Sequence, residues 1–156
     1  MTAKAASPRT IEPTVSKARK IIYLIAALLS LVGLAETTYL TALHLAWAHV
    51  ACVSSANCSQ VLGSVYASYK GVPLAGVGAL AYFAVFTFAL LAAFGYRRAP
   101  LLLGLTVTAM FLTTLGLLYL QAFVLHAFCD YCLFSAALIF LLAGLLIATP
   151  PAKRSE

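Results

Sequence analysis

Two long apolar runs separated by a short polar break occupy residues 101–148, LLLGLTVTAMFLTTLGLLYLQAFVLHAFCDYCLFSAALIFLLAGLLIA. Each run, 101–125 and 129–148, is long enough to cross a bilayer, which takes roughly 20 mostly apolar residues. Asp130 is the only acidic residue in the stretch, which contains no Lys or Arg. Polar and apolar residues do not alternate, and lipid leaves backbone groups no outside partner, so both runs are predicted to be helices.

Two further apolar runs lie upstream, at 21–47, which Glu36 and His44 interrupt, and at 73–96, which has no charge. Hydrophobic residues make up 63% of the 156-residue chain and charged residues 9%, against about 45–50% and about 25% in soluble domains. This composition excludes a soluble globule and a disordered chain. It predicts an all-α fold, an integral membrane four-helix bundle whose last three helices are antiparallel neighbours.

The basic residues predict how the bundle is oriented. Nine of the ten Lys and Arg precede the first run, separate the second from the third, or follow the fourth, and Lys70 alone lies on the other side. Both termini are therefore expected in the cytoplasm, with the loop 48–72 and the turn 126–130 outside. The net charge of +6 comes from few, scattered residues, which argues against nucleic-acid binding.

The chain is predicted to form one membrane domain over residues 21–149. Residues 1–20 are expected to be a disordered cytoplasmic tail, and 150–156 a second, short cytoplasmic tail. A signal peptide ending near Ala46 is the alternative for the first run. The length of that run and the presence of Glu36 within it argue against cleavage.

Four cysteines form two pairs that the predicted topology places on the same outer side. Cys52 and Cys58 form C-x5-C in the long loop, and Cys129 and Cys132 form C-x-x-C at the head of the fourth span. Disulfides persist outside the cytoplasm, so two pairs at one face suggest a thiol–disulfide relay. Two inert disulfides are the first alternative, although C-x-x-C closes too short a loop to constrain a chain much. A four-cysteine zinc site is the second, and the five-residue spacing and the oxidising side disfavour it, so no metal is predicted.

Three motifs occur in order along the chain: Cys52-x5-Cys58-Ser59-x-Val61-x-x-Ser64, Gly71-x-Pro73 and Cys129-x-x-Cys132. In these motifs, and over residues 21–148, the sequence resembles the vitamin K epoxide reductase (VKOR) family, in its bacterial branch without a fused thioredoxin-like domain. The resemblance implies a bundle around a quinone in the bacterial inner (cytoplasmic) membrane. It also implies that a separate thioredoxin-like or DsbA-like extracytoplasmic protein is oxidised, and that menaquinone or ubiquinone takes the electrons.

The resemblance assigns a role to each cysteine. Cys132 is expected next to the quinone, and Cys129 is expected to be its partner, attacked in turn by Cys58. Cys52 is expected to exchange with the partner protein, and Ser64 matches the serine that the family has six residues after the second loop cysteine. The position of the vertebrate enzymes' tyrosine, four residues after the last cysteine, is Ala136 here. Their asparagine also has no match near the start of the second span, so quinone reduction is favoured over epoxide reduction.

The candidate quinone pocket takes residues from the loop and from two spans. Residues 59–69 have apolar side chains at helical spacing, which predicts a short interfacial helix in the outer loop. This helix is expected either to cover the pocket or only to anchor the loop at the membrane surface. The predicted quinone-binding residues are Cys132, Ser64, Leu62, Tyr82 and Phe111, with Phe128 as a further aromatic candidate.

Glu36 is the one carboxylate deep within a span, where an ionisable residue is costly. Glu36 and His126 are candidates for relaying protons during quinone reduction. The alternative for Glu36 is a neutral carboxyl hydrogen-bonded to Thr37, Thr38 or Thr113. His126 can equally be a solvated residue of the outer face.

Two other functions compete with the relay. Four spans and one membrane glutamate also fit a small multidrug/proton antiporter that uses Glu36, although such a protein has no need of two outer cysteine pairs. The third possibility is a non-enzymatic membrane subunit with structural disulfides.

Overall fold

The computed structural model describes residues 16–46, 68–69 and 72–149. Its elements are the helices α1 (Lys17–Leu45), α2 (Leu74–Ala93), α3 (Ala99–Tyr119) and α4 (Asp130–Ile147), a π-helical turn (Leu120–Val124) that continues α3, and the strands β1 (Ser68–Tyr69) and β2 (Val72–Pro73). The described residues contain four helices that are long and apolar enough to cross a membrane. The predicted fold class, an all-α membrane bundle, is thereby confirmed.

Local sequence explains where the helices begin and end. The Ser16 hydroxyl caps α1 by accepting a hydrogen bond from the Arg19 amide, so α1 begins at Lys17 rather than at 21. Gly95 has a φ of 89°, a left-handed conformation that suits glycine and ends the last turn of α2. Pro100 lies in the first turn of α3, where a missing N–H is tolerated.

The helices form a ring in which α1 packs on α2, α2 on α3, α3 on α4, and α4 back on α1. The interface between α1 and α2 is the largest. We call the end of the bundle that holds Leu45, Leu74 and Asp130 the cysteine end. The end that holds Lys17, Ala93 and Ala99 is called the opposite end.

Small side chains let the helices approach closely in the half of the bundle nearer the opposite end. Its buried core contains Tyr23, Ala26, Ala27, Ala89, Ala92, Leu103, Val107 and Leu142. Large hydrophobic side chains cover the outside of the ring, as expected for a surface in contact with lipid chains; Leu80 is 71% exposed and Ile147 86%.

The two strands form a minimal antiparallel ladder just before α2, in which Ser68 pairs with Pro73 and Tyr69 with Val72. The predicted interfacial helix over 59–69 lies outside the described residues except for its last two. Those two residues are extended, because they pair with the segment that leads into α2.

Candidate functional site

The head of α4 carries the C-x-x-C motif. Cys129 is the N-cap residue, with extended backbone angles, and its side chain is fully buried. Cys132 lies in the first turn and is half-buried. The positive end of the helix dipole lies at this head and favours negative charge on a nearby sulfur. The fold therefore places both cysteines at the positive end of a helix dipole, and the thiolate is the form of cysteine that reacts.

A buried amide holds this head in place. Gln121 lies in the π-helical turn, and its Oε1 accepts a hydrogen bond of 3.1 Å from the backbone N–H of Cys129. The Gln121 backbone carbonyl also accepts from the amide of Ala127 at 3.2 Å. His126, which lies in the chain between Gln121 and Ala127, has a φ of 47°, and this angle lets the chain turn back toward α4. Our sequence analysis missed Gln121, although an amide within an apolar span is itself a signal.

A cavity of about 350 Å³ lies between the four helices toward the cysteine end. This volume is at the lower end of the range of small-molecule sites, about 300–1,000 Å³. Aliphatic side chains form most of the lining. The polar and aromatic side chains of the lining are those of Glu36, Thr37, His44, Tyr82, Thr106, Thr113, Thr114, Gln121, Tyr131, Cys132 and Ser135.

Tyr82 on α2 spans the cavity wall from α1 to α4. Its hydroxyl lies 2.9 Å from Ser135 Oγ and donates to the Ser135 carbonyl at 3.2 Å. Its ring packs against Gly33, where an added Cβ would overlap three ring atoms. Ser135 lies one turn beyond Cys132, on the same face of α4. The Tyr82 side chain is thus fixed at both ends. The sequence predicted Tyr82 as a pocket residue and did not predict Ser135.

Glu36 lines the same cavity as Cys132 and Tyr82. Both of its carboxyl oxygens are buried, and neither has a hydrogen-bonding partner among the described residues. Two of the three threonines named as alternative partners, Thr37 and Thr113, donate to backbone carbonyls instead. The Thr37 hydroxyl donates to the Gly33 carbonyl at 2.7 Å, and the Thr113 hydroxyl donates to the Ala109 carbonyl at 2.9 Å.

The other predicted residues lie apart from the cavity. Phe111 packs edge-on against Phe140, with ring centroids 5.1 Å apart, and does not line the cavity. His126 and Phe128 are exposed at the cysteine end and do not line it either. The predicted loop residues Cys52, Cys58, Leu62 and Ser64 lie outside the described residues. Within the described ranges, no three His, Cys, Asp or Glu side chains are grouped as metal ligands would be.

The fold and the site together define a class: a multi-pass membrane protein in which a C-x-x-C motif borders an apolar cavity. The model of the vitamin K epoxide reductase family matches residues 24–147. The chain belongs to this family. It is accordingly a membrane thiol–disulfide oxidoreductase.

Proposed function

We propose that this protein oxidises a separate thioredoxin-like or DsbA-like protein outside the cytoplasm and passes two electrons to a membrane quinone, menaquinone or ubiquinone. The activity supports disulfide bond formation in the bacterial inner membrane. The observation that carries the proposal is that Cys132 borders the apolar cavity while its C-x-x-C partner, Cys129, is held by Gln121 at the head of the same helix.

The cavity fits a quinone by the chemistry of its lining. Aliphatic residues such as Leu40, Val77 and Ile139 suit a ring and an isoprenoid tail, and a few polar groups converge on the same space. Cys132 and Tyr82 would border the quinone ring. Gln121 would border the edge of the ring that faces the thiols. When bound, a quinone supplies two-electron acceptor chemistry that amino-acid side chains lack.

The cysteines perform the exchange steps. Each step is a thiolate attack on a disulfide sulfur through a mixed disulfide. Cys52 exchanges with the partner, whose dithiol becomes a disulfide as the Cys52–Cys58 bond is reduced. Cys58 then attacks Cys129, which restores the loop disulfide and leaves Cys129 and Cys132 as thiols. Closing the Cys129–Cys132 bond again requires a two-electron acceptor, and a quinone bound in the cavity would take the two electrons and two protons.

The charge distribution supports the orientation. The described basic residues lie at the opposite end, at the start of α1 and between α2 and α3: Lys17, Arg19, Lys20, Arg97 and Arg98. We therefore place the opposite end and both termini in the cytoplasm, and the cysteine end outside.

Anaerobic mixing of the purified protein with a reduced thioredoxin-like protein and a short-chain quinone tests the whole proposal. We expect the quinone absorbance to decay with the wild type and not with Cys132→Ala. Thr108→Val is the matched control, because Thr108 is exposed on α3 away from the cavity and only bonds the Gly104 carbonyl. Decay with Cys132→Ala at the wild-type rate, or none with the wild type, would contradict the proposal.

A trapped disulfide tests the relay between the two pairs. In a Cys52→Ala, Cys132→Ala double variant, Cys58 is released from its loop partner and Cys129 has no resolving thiol. We expect a Cys58–Cys129 disulfide to accumulate, which requires their Cα atoms to come within about 7 Å. Peptide mapping without reduction detects it. Recovery of both cysteines as thiols after oxidation would show that the loop does not reach the C-x-x-C motif.

A further inference from the structure

The proposed electron path does not use Glu36, although both oxygens of its carboxyl are buried and have no hydrogen-bonding partner among the described residues. Leaving a buried polar group without a hydrogen bond costs free energy, and the cost is larger if the group is charged. Ionisable residues within membrane spans are rare and mark functional sites. The cost at Glu36 is therefore expected to be offset when a ligand occupies the cavity.

The surroundings of Glu36 determine which form of the carboxyl meets the ligand. Among the described residues, no Lys or Arg lines the cavity, and the His44 imidazole lies more than two turns further along α1, close to its end. The Tyr82 hydroxyl is already bonded to Ser135. A carboxylate would lie in this apolar space without a compensating cation from the part of the chain that the structure describes, so the neutral acid is the favoured form. A neutral carboxyl has one O–H donor, and no described residue accepts from it.

The position of Glu36 relative to Cys132 indicates what it could contact. Glu36 precedes the end of α1 by nine residues, which is roughly 13 Å at 1.5 Å per residue. Cys132 is two residues into α4, which is roughly 3 Å. The Glu36 carboxyl therefore lies roughly 10 Å deeper in the cavity than the Cys132 thiol. A ring with oxygen acceptors on opposite sides matches such a pair.

We propose that Glu36 is the deep contact of the quinone head group and donates a hydrogen bond from its neutral carboxyl to the carbonyl oxygen farther from Cys132. This contact makes the cavity select ring ligands with two opposed acceptors over hydrocarbons of similar shape. The proposal rests on the proposed function, because it assumes that a quinone occupies the cavity.

Binding in the absence of any thiol donor tests this contact without turnover. We would measure the Kd of a short-chain ubiquinone and of menadione for the full-length protein in lipid nanodiscs by equilibrium dialysis. Glu36→Gln keeps an N–H donor and should bind within about 2-fold of the wild type. Glu36→Leu removes the donor and should bind about 10-fold more weakly. Thr108→Val, away from the cavity, should bind as the wild type does.

Infrared difference spectra give a second readout that does not need the leucine variant to fold. Quinone binding should shift a carboxyl C=O band in the wild type, and this shift should be absent in Glu36→Gln. Wild-type affinity in Glu36→Leu, or a carboxyl band that does not respond to quinone, would overturn the assignment of Glu36. Failure of the wild type to bind either quinone would instead overturn the proposed function.

Discussion

The two halves of the bundle are built from the same kind of helix, yet they differ in what fills the space between the helices. Toward the opposite end, side chains such as Ala26, Leu103 and Leu142 are fully buried and close the interior. Toward the cysteine end, the interior widens into the cavity, and buried polar groups such as Gln121 appear. The comparison teaches that one half stabilises the ring, which allows the other half to remain open for a ligand.

Removing packing from the closed half should have the largest effect on stability. Leu142→Ala deletes a fully buried side chain that does not line the cavity, and we expect it to lower the free energy of unfolding by about 2–5 kcal/mol. The folded fraction should still reduce quinone. Ile147→Ala, at an 86% exposed position of the same helix, is the control and should unfold like the wild type. Equal stability of the two variants, measured by denaturant titration, would contradict a closed, stabilising half.

Inserting a methyl group where the halves meet should have the next largest effect. A Cβ at Gly33 would overlap the Tyr82 ring, which is held at its far end by Ser135. We expect Gly33→Ala to cost about 3 kcal/mol, the upper part of the usual range for overpacking, and to weaken quinone binding by displacing Tyr82. Gly104→Ala is the matched control, because nothing lies within 4 Å of its added Cβ. Thermal unfolding and quinone affinity are the two measurements, and unchanged values for Gly33→Ala would show that the ring can move aside freely.

Removing the amide that holds the C-x-x-C head should have the smallest effect on stability and a clear effect on exchange. Gln121→Leu leaves the Cys129 N–H without its acceptor, which we expect to cost about 1–2 kcal/mol, since the end of α4 can relax. Gln121→Glu keeps an acceptor oxygen, and its neutral carboxyl, the form that this apolar space favours, should keep most of the stability. Gln121→Glu should exchange with a small dithiol as the wild type does, whereas Gln121→Leu, in which Cys129 is displaced, should exchange more slowly. Identical exchange rates in all three proteins would mean that Gln121 does not position Cys129.

The sequence predicted the helices well because lipid restricts the backbone to few structures. It predicted the two inner sulfurs of the site because C-x-x-C is a local motif. It assigned both Tyr82 and Phe111 to the quinone pocket, because both lie in spans that are apolar on all sides. Without a polar face, no periodicity indicates which way a helix is rotated. The structure places Tyr82 on the cavity and Phe111 against Phe140.

The π-helical turn at Leu120–Val124 has a consequence for any residue-by-residue scan of this span. A π turn bonds residue i to i+5 and so holds one residue more than an α turn. Tyr119 and Phe123 lie side by side, with ring centroids 4.9 Å apart, while Gln121 between them points inward. A plot of mutational sensitivity against residue number should keep one helical phase from Leu103 to Gln121, because 18 residues are five full turns and both side chains are buried. The extra residue of the π turn should displace only the positions beyond Val124.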